Sequence, residues 1–216
     1  MKGIIFDLDG TLWEVIESSF KSANTVAKKY NLPEVSRDTI CRVFGLNKSD
    51  SAKLYFPSVP LNIGLKLMDE EVAVNIDNLS HYGGNVYKNL EMTLKKLQNQ
   101  YEFYIVSNTA EVGYIEAFLE TSKLKKYFKD WMAAGDLHIS KGEAIKKIIH
   151  DYHLSAAIYV GDTEKDLEAA NVAHIPFVQA RYGFGKNLNT KYCINDISEL
   201  PDLICNNEII GDVDEV

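Results

Sequence analysis

Asp7 and Asp9 stand two residues apart in GIIFDLDGTLWE, where an apolar run ends. A strand that only needs burial has no use for two carboxylates at that end. Other apolar runs end in the same way. EFYIVSN supplies Ser107 and Asn108, and AIYVGD supplies Asp162, with Asp166 four residues on. LHISKGEAIKKI adds Lys141 at the start of a helical pattern. Carboxylates brought this close repel one another and raise a pKa, unless a cation sits among them. Hard oxygen donors suit Mg²⁺, which keeps several waters and is typically shared with a phosphate. The expected chemistry is metal-assisted, with one ammonium and one hydroxyl at hand.

Something must bring these groups together. Residues 3–8 read as a buried strand followed by a turn at Gly10-Thr11. Similar strands are expected over 102–107, 130–134, 157–161 and 174–178. Between them run amphipathic patterns. Val86, Leu90, Leu94 and Leu97 share one helical face, as do Val112, Ile115 and Leu119, and Ile145, Ile148, Ile149 and Tyr152. Strands alternating with helices imply right-handed crossovers and a mainly parallel sheet, whose carboxyl ends form a ligand crevice.

The alternation breaks over 14–83, where the patterns are helical at 14–30, 36–44, 48–56 and 69–80. Such a stretch is too long for a plain loop. The expected fold is α/β: a Rossmann-like core over 1–13 and 84–216, with an inserted α-helical cap domain over 14–83. Leu12-Trp13-Glu14 and Tyr82-Gly83-Gly84-Asn85 are the expected hinges, with Trp13 packing one of them rather than stacking on a substrate ring.

Bulk properties narrow the class. The 216 residues are 46% hydrophobic and 25% charged, with a formal charge of −8, which argues against non-specific nucleic-acid binding. No apolar segment approaches the roughly 18 residues of a membrane span, and Met1–Phe6 runs into Asp7 too soon for a signal peptide to be expected. The three cysteines, Cys41, Cys193 and Cys205, lack metal spacing and read as buried free thiols, which fits the cytoplasm. The histidines show no zinc spacing, His150 and His153 reading as a solvated helix end. The tail GDVDEV reads as a solvated terminus.

DLDGT, VSNT, SKGEA and VGDTEKDLEAA, in that order, resemble the four motifs of the haloacid dehalogenase-like hydrolase superfamily. The helical insert after the first motif is similar to the phosphoglycolate phosphatase and β-phosphoglucomutase group. The resemblance implies that Asp7 is a nucleophile taking the phosphoryl group, and Asp9 the general acid and base. It implies a Mg²⁺ site from Asp7, the backbone carbonyl of Asp9 and Asp162, with Asp166 as support or outer ligand. Ser107, Asn108 and Lys141 would bind the phosphoryl oxygens. An acid at position 9 marks phosphatases and phosphomutases, whereas dehalogenases lack it.

The activity so implied is hydrolysis of a small phosphorylated metabolite: phosphoglycolate, a sugar phosphate or a nucleotide. A sugar phosphomutase is the alternative, and a non-catalytic regulator that binds a phosphorylated ligand is a second. The oligomeric state is open between monomer and homodimer. Substrate specificity is expected from the insert segment FGLNKSDSAKLYFPSV and the residue region just before it, through Arg42, Lys48 and Lys53, with Gly45 in the same loop. His174 stands where the family usually has glycine before its last core strand.

Overall fold

Gly3, Ile4, Ile5 and Phe6 are all buried, as a strand between two helical layers requires. The computed structural model describes residues 1–44, 46–109, 111–207 and 209; Gly45 and the acidic tail over 211–216 fall outside them. The chain opens with β1 (Lys2–Phe6), β2 (Trp13–Glu14), α1 (Ile16–Lys29), α2 (Arg37–Val43), α3 (Lys48–Tyr55) and α4 (Leu61–Tyr82). Then come β3 (Asn85–Val86), α5 (Leu90–Leu97), β4 (Glu102–Ser107), α6 (Val112–Thr121) and β5 (Phe128–Ala133). The last part holds α7 (Lys141–Asp151), β6 (Ala156–Gly161), α8 (Glu164–Ala173), β7 (Phe177–Ala180), β8 (Tyr192–Ile194) and α9 (Leu200–Asn207).

Among the described residues the main sheet has six strands in the order β5-β4-β1-β6-β7-β8. Every neighbouring pair in it is parallel. The order reverses at β1, with β4 on one side and β6 on the other, which is the switch point where such sheets bind ligands. Side chains alternate between two cores. Ile4, Phe6, Phe103, Ile105, Ile158 and Val160 face α5, α6 and α9. Ile5, Tyr104, Val106, Ala157 and Tyr159 face α7 and α8.

The helices of the insert share a core of their own, built on Ala23, Val26, Ile40, Tyr55, Phe56, Leu67 and Met68. The long α4 also reaches the main core through Leu79. The chain enters and leaves this region through an antiparallel ribbon, Trp13 opposite Val86 and Glu14 opposite Asn85. Trp13 is fully buried against Tyr114 and Phe118, so it packs the crossing. A Cβ on Gly84 would lie 1.9 Å from the Trp13 indole nitrogen, which is why glycine stands there.

Several boundaries differ from expectation. The first strand stops at Phe6, because the backbone turns after Asp7. Helix α4 begins at Leu61 rather than 69, directly after Pro60, whose carbonyl accepts from the Ile63 and Gly64 amides at 2.9 Å. Val86 belongs to the ribbon, not to a helix with Leu90. The last expected strand begins at Phe177, because His174 ends α8 in the left-handed conformation, φ 56°. That is the position where glycine was the family expectation. Strand β8 was not anticipated. None of the three free cysteines is buried as expected: Cys41 and Cys193 are half-buried, and Cys205 is exposed, one step round α9 from the buried Ile204.

Candidate active site

β1 delivers two carboxylates to the edge of the sheet. The Asp7 N–H donates to the Val160 carbonyl at 2.8 Å, fixing Asp7 one residue past the strand. The chain then turns, with the amides of Thr11, Leu12 and Trp13 all donating to the Leu8 carbonyl. Gly10 has φ 78°, and a Cβ there would lie 2.3 Å from an oxygen of Asp162. The glycine of DLDGT thus lets the turn sit directly on the end of β6.

Lys141 comes from the first turn of α7. Ser140 and Glu143 cap that helix reciprocally, Ser140 Oγ accepting from the Glu143 amide at 3.2 Å and Glu143 Oε2 from the Ser140 amide at 2.7 Å. From this fixed start, Lys141 Nζ donates to Asp7 Oδ1 at 2.9 Å and to Asp166 Oδ1 at 2.7 Å. Asp166 lies at the start of α8, and its Oδ2 accepts from the Thr163 amide at 2.8 Å and the Thr163 hydroxyl at 2.7 Å. Both of its oxygens are therefore engaged within the protein. Asp162 Oδ2 accepts from the amides of Phe184 at 2.6 Å and Gly185 at 3.0 Å. Its Oδ1 is buried without a partner among the described residues.

Oxygens of Asp7, Asp162 and Asp166 lie within 4.8 Å of one another. Burial pushes Asp7 up to about 7, with the charge of Asp166 adding and Lys141 opposing. Burial also drives Asp162 well above the carboxylate range, followed by the charges of Asp166 and Asp7. For Lys141, burial works downward, but Asp166 and Asp7 outweigh it and hold the ammonium above its ordinary value. One ammonium thus stands against three carboxylates. An orphaned carboxylate oxygen in an all-oxygen cluster fits a hard divalent cation such as Mg²⁺.

Asp9 has different surroundings. Its Oδ1 accepts from the Tyr114 hydroxyl at 2.9 Å, and its side chain is not one of the clustered carboxylates. Burial, then the charge of Asp7, pushes it up to about 7, against the pull of Tyr114. Ser107 is buried at the end of β4, its Oγ accepting from the Thr109 amide at 3.3 Å. Asp7, Asp9, Ser107, Asn108 and Lys141 all line one pocket of about 120 Å³.

Residues 4–180 match the family model for haloacid dehalogenase-like hydrolases. The chain belongs to that family. Relatives in this hydrolase family include the phosphoglycolate phosphatase of Pseudomonas syringae pv. tomato. It is 24% identical over 196 residues, covering 85% of this chain and 70% of that one. The phosphoglycolate phosphatase of Pasteurella multocida is 22% identical over 202 residues, covering 87% and 88%. Among solved structures, a haloacid dehalogenase-like hydrolase from Streptococcus pneumoniae superposes with TM-score 0.81 at 19% identity, covering 93% of this chain and 96% of that one. A predicted phosphoglycolate phosphatase from Haemophilus somnus also gives 0.81, at 20% identity and 94% and 97% coverage.

The other wall of this hydrolase's pocket comes from α1, α3, α4 and the end of α2. Of the three cations expected there, Lys48 lines the pocket and is ion-paired to Asp69. Arg42 and Lys53 are not among its described lining residues; they face Asp38 and Asp50. Sequence reasoning did not find Tyr114, Glu71 or the amides of Phe184 and Gly185. The last two had a signal in RYGFGK, whose spaced glycines follow a strand, while Tyr114 and Glu71 had none.

Proposed function

We propose that the protein is a Mg²⁺-dependent phosphatase that hydrolyses a small phosphorylated metabolite through an aspartyl-phosphate on Asp7. One observation carries the reading. A carboxylate tethered to a buried lysine and clustered with Asp162 shares a pocket with a second carboxyl group poised near neutrality. The names of the relatives support a small phosphate ester as substrate.

An Asp7 oxygen attacks phosphorus, and the bond to the leaving oxygen breaks as Asp9 gives that oxygen its proton. Water then attacks phosphorus, Asp9 takes the water's proton, and inorganic phosphate leaves while Asp7 regains its carboxylate. A carboxyl group near neutrality suits both proton transfers. Such transfers supply only about 10²–10⁴ of the ~10²¹ that phosphate-monoester hydrolysis demands. Positioning and charge must supply the rest, from Lys141, Ser107 and Asn108 around the phosphoryl oxygens. Bound Mg²⁺, held by Asp7, Asp162 and the Asp9 carbonyl, would offset the negative charge gathered there. Asp166, with both oxygens engaged, acts as the support that orients Lys141 and the Asp162 backbone.

In this reading 14–83 is a cap that closes over a core of 1–13 and 84–216, its separate apolar core letting it move as a unit. Free thiols, and the lack among the described residues of a helix able to cross a membrane, agree with a cytoplasmic enzyme. Purified enzyme should release phosphate from p-nitrophenyl phosphate with Mg²⁺ and stop in EDTA. Asp7→Asn should lower the rate at least ~10³-fold, about 4 kcal/mol. Equal rates in wild type and Asp7→Asn, or full activity in EDTA, would overturn the mechanism. Isomer formation without phosphate release would make it a mutase.

A further inference from the structure

Glu71 is a buried acid of the pocket that the mechanism leaves unused. It sits on the inner face of α4 with a relative exposure of 4%, yet it borders the same pocket as Asp9. Ser22 Oγ donates to its Oε1. Tyr55 and Tyr114 line the same pocket, and the Tyr114 hydroxyl donates to Asp9 Oδ1 at 2.9 Å. Ser19, Ser51 and Asn75 add polar groups to the same wall of the pocket, beside the apolar Met68 and Val72.

No cation answers Glu71 among the described residues. The two lysines bordering the pocket are both committed, Lys141 to Asp7 and Asp166, and Lys48 to Asp69. Burial accordingly pushes Glu71 up to about 7, opposed only by the Ser22 hydroxyl. Above about pH 7, where Glu71 is ionised, a substrate carboxylate entering here would meet a second negative charge in a desolvated space. A hydroxyl or ammonium would give Glu71 a hydrogen bond it otherwise lacks.

We infer that this wall selects a leaving group bearing hydrogen-bond donors, hydroxyl or ammonium, and rejects one ending in a carboxylate, with Glu71 as the discriminating residue. The inference rests on the phosphatase reading and departs from the substrate in the relatives' names, since phosphoglycolate ends in a carboxylate. Glu71 adds specificity through both a favourable contact and a repulsive one.

Two matched pairs of esters test it: phosphoethanolamine against 2-phosphoglycolate, and glycerol 1-phosphate against 3-phosphoglycerate. In wild type, the donor-bearing member of at least one pair should exceed its acid partner at least tenfold in kcat/KM. The pair that shows the preference tells ammonium from hydroxyl. Glu71→Gln, which keeps shape and the Ser22 contact, should shrink that ratio below threefold. Ratios under tenfold in both wild-type pairs overturn the inference, and need no variant to do so. A ratio that survives Glu71→Gln in a folded enzyme, checked by thermal melting, overturns the role of Glu71. Loss of all wild-type turnover, p-nitrophenyl phosphate included, would instead remove the hydrolase reading beneath it.

Discussion

Asp7, Asp9, Asp162 and Glu71 all carry carboxyl groups that burial pushes upward, but they differ in what opposes it. Asp7 has a lysine, Asp9 a phenol, Asp162 two amides, and Glu71 a single serine. Glu71 therefore offers a clean linkage between protonation and stability. Its ordinary value is 4.5 and its folded value about 7. Between these, the native chain holds a proton that the unfolded chain has lost, so stability falls as pH rises through that window. The full penalty, about 3 kcal/mol, applies above pH ~7 and vanishes below pH ~4.5. Glu71→Gln should thus gain on wild type by about 2.5 kcal/mol between pH 5 and pH 8, most of that penalty, because the other carboxyl groups are common to both proteins. Melting curves at the two pH values check it; a wild-type to variant gap that stays constant refutes it.

At the scale of elements, α7 shows how a local signal fixes a residue of the candidate site. Its capping box fixes the turn that carries Lys141. Ser140→Ala should cost about 1 kcal/mol of stability. Turnover should fall more than tenfold, since Lys141 must hold a place within hydrogen-bond range of Asp7. Melting and rate measurements in parallel separate the two effects; an unchanged rate would show that the cap positions nothing. Elements of this kind were legible because their signals are local. Strand β4 begins and ends where the apolar run does, and Asp7, Asp9, Lys141, Asp162 and Asp166 were found through compact motifs. The ribbon was not legible, because Trp13 and Val86 pair across the whole insert. Strand β8, at three residues, is too short to show alternation. Glu71 was hidden by its neighbours. Asp69 pairs with Lys48, Glu70 with Lys29 and Tyr30, and only the third acid of the run turns inward. One step along a helix decides whether a carboxylate is solvated or buried, and the tertiary contacts that set this rotation lie far away in sequence.

Over the whole molecule, two helical layers hold the sheet while a third apolar core sits above its carboxyl edge. Phe44, at the end of α2, packs partly on both the main core and the insert's core. Its ring lies 4.6 Å from that of Phe184, whose own amide donates to Asp162 Oδ2. Phe44→Ala should therefore raise the Mg²⁺ concentration needed for half-maximal turnover about threefold or more, as a loosened Phe184 holds Asp162 less firmly. A Mg²⁺ titration of the variant checks this, and an unaltered midpoint would uncouple the two. One aromatic thus touches the helices with its ring and holds the Asp162 carboxylate with its backbone amide. In the proposed cycle, lifting those helices to let product escape would slacken the contact that steadies Asp162 in the same stroke, tying departure of phosphate to exchange of magnesium.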